Sequence, residues 1–215
     1  MPPLSPTSPL WLYFVLVAGI ILLPGMDMAF VLASALAGGR KAGLAAVSGL
    51  VAGGWIHVAL GALGVGLLLQ AAPALFDVLL LAGAAYVGWI GVSLLRGADA
   101  LGDPTLAASR PALATFGRAV ATCLLNPKAY LFTLAVFPQF LRAQGGALAA
   151  RAFGMAAITS FTQVAVYGGI ALAAAQARAW LSGSPATQRR LGRVVGALLV
   201  LAAAWTGLHG LWRAG

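Results

Sequence analysis

Acid is scarce in this chain: four Asp and Glu in 215 residues, against thirteen Lys and Arg. All charged residues together are 8% and hydrophobic ones 61%, with a mean hydropathy of +0.97. A soluble domain carries about 25% charged residues, and at this length it would need them to cover its surface. The scarcity excludes a soluble fold and leaves an all-α integral membrane protein. Cysteine is scarcer still. Cys123 stands alone, which excludes an intramolecular disulfide and any two-cysteine redox relay. Two histidines and four acids are too few for a rich metal site, so neither metal nor cofactor is expected. The net charge of +9 does not point to nucleic acid. The basic residues sit in short loops between apolar runs, without a basic helix or interleaved aromatics, and read as topology signals in a lipid bilayer. The opening "MPPLSPTSPLW" lacks the basic region of a signal peptide.

What the chain has is apolar length. About 20 apolar residues cross the hydrocarbon as a helix. Six stretches qualify: Leu10–Ala37, Ala42–Gln70, Ala74–Leu95, Thr115–Leu141, Ala147–Ala175 and Leu191–Trp212. The organisation expected is a polar leader over 1–9, three spans over 10–95, a cytoplasmic linker over 96–114, and three more spans over 115–215. Loops one, three and five hold most of the positive charge, including Arg40, Lys41, Arg96, Arg110, Arg118, Arg178, Arg189, Arg190 and Arg193. They should be cytoplasmic and both termini periplasmic, although Arg142, Arg151 and Arg213 oppose that orientation.

The halves are related. "RKAGLAAVSG" at Arg40–Gly49 lines up with "RAFGMAAITS" at Arg151–Ser160, and spans one and four each carry a mid-span proline, Pro24 and Pro127. An odd number of spans per half turns the second half upside down, the 3+3 inverted-repeat plan of many transporters.

Both long spans contain a break. In "LLPGMDMAF", Pro24 lacks the N–H that a helix needs, and Gly25 loosens the chain beside it. Opening the helix here frees backbone carbonyls near Ile20 as cation acceptors. Asp27 stands at the same place, although the bilayer centre penalises an acid by about 3 kcal/mol or more. In "LLNPKAYLF", Asn126 is a good N-cap and Pro127 suits the first helical position. A half-helix starting there turns its positive dipole end and free N–H groups toward an anion, and Lys128 adds a full charge. Together the breaks predict a midplane site with one acidic and one basic pole, matching a zwitterionic amino acid and a coupling proton. The bland alternative is that Asp27 and Lys128 only pair with each other, as a buried lock.

His57, in "GGWIHVAL", fits a proton relay and equally a neutral histidine bonded to a neighbouring helix. Met26, Tyr86, Thr159, Thr162 and Gln163 are candidates for cavity lining. For the two threonines and the glutamine, bonding between helices is the competing explanation, and for Tyr86, packing. Gly49 and Gly53, like Gly192 and Gly196, have the G-x-x-x-G spacing that lets helices approach closely.

At these residues the chain resembles the LysE/RhtB family of amino-acid exporters. The family's P-G-P signature stands here as Pro24-Gly25-Met26-Asp27, with Met26 replacing the second proline. Its N-P-K and P-Q-F signatures stand as Asn126-Pro127-Lys128 and Pro138-Gln139-Phe140. The resemblance covers nearly the whole chain after the leader. It implies an inner-membrane exporter of amino acids or close derivatives, driven by the proton gradient, with a homodimer as one admissible assembly. A metal exporter of the same superfamily would be expected to show His, Cys or Asp clusters, and these are missing. An intramembrane serine protease would need a nucleophile motif around Ser160, which is also missing.

Overall fold

A computed structural model describes residues 8–64, 73–96, 111–141, 148–180 and 185–214. Most of the proposed leader and linker, the far end of the second expected span at Gln70, and Arg110 and Arg142 lie outside the described residues, as do the side chains of Pro138 and Gln139. The described residues form seven helices: α1 (Ser8–Leu22), α2 (Met26–Ala62), α3 (Pro73–Arg96), α4 (Ala112–Leu124), α5 (Pro127–Leu141), α6 (Leu148–Trp180) and α7 (Pro185–Ala214). α2 and α6 are each long and apolar enough to cross a membrane, and shorter apolar helices run over Leu10–Leu22, Leu80–Ser93, Ala112–Leu124 and Gly192–Leu208. Large apolar side chains face outward on many elements, among them Trp11, Phe161, Leu198, Leu201 and Trp205. In water so much exposed apolar surface would aggregate, whereas lipid solvates it. The protein is an all-helical integral membrane protein.

The first expected loop, at Arg40 and Lys41, is compressed to a tight turn at Gly39, whose φ of 69° is left-handed. The helical segments on either side fold back on each other, since a Cβ on Gly43 would lie 2.9 Å from Cβ of Ala35. Only glycine takes that φ without a Cβ clash. Arg40 and Lys41 are exposed beside the bend. A Cβ on Gly39 would lie 3.4 Å from Nη1 of Arg178, so three basic residues from α2 and α6 gather at one end of the bundle.

The main core joins α1, α2, α4, α5 and α6 around Tyr13, Val31, Leu50, Ala119, Met155 and Tyr167. A second cluster joins α3 and α7 to the first part of α2 through Val87, Val195, Leu199 and Ala33. Glycines set the closest approaches. A Cβ on Gly49 would strike the Phe116 carbonyl, and one on Gly53 would sit 2.6 Å from Cβ of Cys123, so this G-x-x-x-G face is the seat of α4. Gly196 is likewise close to Gly91, with its would-be Cβ 3.0 Å from the Gly91 carbonyl, which brings α7 onto α3.

Candidate functional site between two helix gaps

Two short gaps interrupt the helices: Leu23–Gly25 between α1 and α2, and Leu125–Asn126 between α4 and α5. Each contains or precedes a proline, and each proline leaves one carbonyl without its helical partner. A helical carbonyl accepts from the N–H four residues later. Pro24 stands four after Ile20, and Pro127 four after Cys123, and neither has an N–H to give.

Both orphaned carbonyls are taken by basic side chains from the other half of the chain. The Lys128 ammonium donates to the Ile20 carbonyl at 2.9 Å and to the Leu23 carbonyl at 2.8 Å. His57 Nε2 lies 3.0 Å from the Cys123 carbonyl. That oxygen can only accept, so Nε2 carries the hydrogen. The Cys123 carbonyl also receives the Asn126 N–H, at 3.1 Å. The cation acceptors expected near Ile20 are therefore present, and the cation on them is the protein's own. Lys128 is bonded to backbone rather than to Asp27, so the ion-pair lock is not what the geometry shows.

Gly25 makes room for this arrangement. Its backbone is extended, at φ −172°, a conformation open to any residue. Space is the constraint: a Cβ there would lie 3.2 Å from the Lys128 Nζ. Gly83 on α3 does the same at the second gap, where a Cβ would collide with the Leu125 carbonyl.

The N-terminal sides of the gaps differ. Asn126 caps α5, with Oδ1 accepting the Lys128 backbone N–H at 3.0 Å. α2 has Gly25 at the cap position and no side-chain cap bond, but carries Asp27 in its first turn. A carboxylate there faces the positive end of the helix dipole.

Between the gaps lies a cavity of about 60 Å³. Asp27, His57, Asn126, Lys128, Thr159 and Gln163 line it together with Tyr13, Cys123, Phe132, Thr133, Phe137 and Tyr167. Among the described residues, four buried polar atoms have no partner within hydrogen-bond distance, and all four belong to cavity-lining residues: Asp27 Oδ1, His57 Nδ1, Gln163 Oε1, and Asn126 Nδ2, whose amide lies beside the Asp27 carboxylate. Such atoms are costly to bury unpaired, and native proteins keep few of them. The other atoms of these groups fix what each can do. Asn126 Oδ1 is occupied as an acceptor, leaving Nδ2 as a donor. Gln163 Nε2 donates to the Leu50 carbonyl at 3.3 Å, leaving Oε1 as an acceptor. With Nε2 protonated, neutral His57 presents Nδ1 as an acceptor, and a second proton makes it a donor. These four atoms thus offer three acceptors and one donor. An alkylammonium has three N–H groups, and a carboxyl oxygen could take the donor.

Of the other residues singled out in the sequence, Thr159 and Gln163 line the cavity and also bond between helices, Thr159 through the Tyr13 hydroxyl at 2.8 Å. Thr162 bonds the Ile158 carbonyl of its own helix. Tyr86 stacks on Trp89 at 5.8 Å, its hydroxyl donating to the Arg118 carbonyl at 3.4 Å. Met26 packs in the second cluster, toward α3 and α7. None of these three is among the lining residues. Tyr13, Tyr130 and Tyr167 were missed from sequence. Tyr13 is fully buried and contacts Phe132, Phe137 and Phe140. Its available signal was a hydroxyl in an otherwise apolar run. Tyr130, edge-on to the His57 ring at 4.8 Å, sits four residues beyond Asn126 and could have been found by helical periodicity.

Residues 18–208 match the family described as LysE type translocator. A homoserine/homoserine lactone efflux protein of Salmonella typhimurium is 31% identical over 195 residues, covering 90% of this chain and 94% of the relative. A leucine efflux protein of Klebsiella pneumoniae is 36% identical over 130 residues, covering 60% of this chain and 61% of the relative. No solved structure matches.

Proposed function

The chain belongs to the LysE family of translocators, and on that premise we propose that it exports amino acids or close derivatives through the cavity between the two helix gaps. The observation that carries this reading is the gathering of four unpartnered buried polar atoms on one cavity. Asp27 Oδ1, Gln163 Oε1 and neutral His57 Nδ1 receive the substrate ammonium, and Asn126 Nδ2 meets its carboxyl group. The names of the relatives make leucine, homoserine and homoserine lactone the first compounds to try. At about 60 Å³ the cavity holds a few waters and not an amino acid, so binding requires the gaps to widen. The protein acts as a transporter and not as an enzyme.

Export is driven by the proton gradient. Asp27 and His57 are the ionisable groups with an unpartnered atom on the cavity, and a proton arriving there competes with the substrate ammonium for the same acceptors.

The helices are arranged as six spans in two inverted halves. α1 is about 22 Å long and the part of α2 before Gly39 about 20 Å, at 1.5 Å per residue. Neither crosses a hydrocarbon core of about 30 Å alone, and end to end they do, with the gap near the middle. α4 and α5 have nearly the same two lengths. The reciprocal capping supports the same plan, because each half supplies the basic residue for the other half's gap. Arg40, Lys41 and Arg178 at one end support cytoplasmic first and fifth loops, periplasmic termini and placement in the bacterial inner membrane.

The test is export from substrate-loaded proteoliposomes under an imposed proton gradient. Asp27→Asn should abolish gradient-driven export while the protein still inserts and purifies as a single species. Export at the unmodified rate would remove Asp27 from the mechanism.

A further inference from the structure

We propose that the first helix gap is a monovalent-cation site whose permanent occupant is the Lys128 ammonium, so that the transporter neither needs nor binds a sodium or potassium ion there. This goes beyond the export reading and does not depend on it.

The site is built from backbone. Pro24 deprives the Ile20 carbonyl of its helical donor, and the gap after Leu22 leaves the Leu23 carbonyl outside any helix. These oxygens lie at the negative end of the α1 dipole, where a cation is favoured. Carbonyls freed by an unwound helix are the usual ligands of alkali ions in membrane transporters. Here the charge arrives on a tether: Nζ bonds both oxygens, at 2.9 and 2.8 Å, from a residue 108 positions away from Ile20. The absence of a Cβ at Gly25 clears its path, because a Cβ there would crowd Nζ at 3.2 Å. The occupant is specific in two ways. A point charge alone would be held by the dipole, whereas Lys128 also supplies directed N–H bonds. Its tether begins in the first turn of α5, the helix that Asn126 caps, so the cation links the two gaps mechanically.

Shortening the side chain should leave a vacant site for a free alkylammonium. In purified full-length protein, Lys128→Ala should lower the Tm by about 6 °C or more, the loss expected for two charge-assisted bonds in a chain of this size. Adding n-propylammonium or n-butylammonium should restore most of that loss saturably. Tetramethylammonium, which has the charge but no N–H, and n-butanol, which has the chain but no charge, should not. The rise in the variant should exceed any rise that the same amines cause in the unmodified protein, whose gap is already filled by Lys128. Rescue by tetramethylammonium equal to that by butylammonium, or no rescue of a folded variant, would overturn the proposal. A second arm does not depend on that variant folding. Unmodified protein should show the same Tm in sodium, potassium and choline chloride. A rise of several degrees in sodium or potassium alone would show that an alkali ion binds, and would also overturn it. Neither arm measures transport, so a failure of export leaves this result standing and the reverse holds as well.

Discussion

The two helix gaps use the same residue to opposite ends. Pro24 follows the end of α1, and removing its N–H opens the helix behind it. Pro127 starts α5, where no N–H is needed, and Asn126 makes the helix begin there. The capping differs to match. The first gap has no side-chain cap on α2, and its two exposed carbonyls depend on one remote lysine. The second has a local cap from Asn126, and its Cys123 carbonyl has both a local N–H and the His57 ring. The second gap is therefore self-sufficient and the first is held from outside.

Substitutions that exchange these roles test the comparison. The largest effect is expected from Pro24→Ala. It returns an N–H to the Ile20 carbonyl and lets α1 continue toward α2, displacing Lys128. Export should fall at least about tenfold while the protein still folds, because Lys128 loses the two carbonyls that hold it. Reconstituted transport and thermal melting of the same preparation would check both. Next comes Gly83→Ala, whose Cβ would collide with the Leu125 carbonyl. Overpacking costs about 1–3 kcal/mol, so the Tm should drop by about 2–10 °C. A smaller effect is expected for His57→Leu, because Asn126 still bonds the Cys123 carbonyl. Its Tm should fall by only about 2–4 °C, less than for Lys128→Ala. The reverse order would mean that the second gap is the dependent one. Smallest of all is Pro127→Ala, since alanine also suits a first helical turn and Asn126 keeps its cap. Export should remain within about threefold of the unmodified protein. A tenfold loss would make the two prolines equivalent.

What could be read from the sequence was what acts locally. A missing N–H at Pro24 or Pro127, and the cap of Asn126, work through neighbouring residues, and the helix ends lie where that chemistry expects them. The G-x-x-x-G at Gly49 and Gly53 was readable as a packing face, though not which helix it would receive. Lys128 was not readable in the same way. Its charge suggested an anion, and only the folded chain brings it to carbonyls more than 100 positions away. The turn at Gly39 was legible as well, because Gly38, Gly39, Arg40 and Lys41 separate two apolar runs, and the structure narrows that turn to one residue outside helical geometry. Gln163 illustrates both sides. Bonding between helices and cavity lining were weighed as rivals, and the side chain does both with different atoms of one amide.

The cavity between the gaps contains its own reporter. Cys123 is the sole cysteine, is buried, and lines the cavity. The rate of its alkylation by N-ethylmaleimide can be followed by mass spectrometry in unmodified protein during turnover. If substrate binds between the gaps, Cys123 is alkylated as the cavity opens, and saturating substrate slows that alkylation about tenfold or more, in parallel with saturation of export. Alkylation at a rate indifferent to substrate, or a Cys123 that stays unmodified throughout turnover, would place transport elsewhere in the molecule.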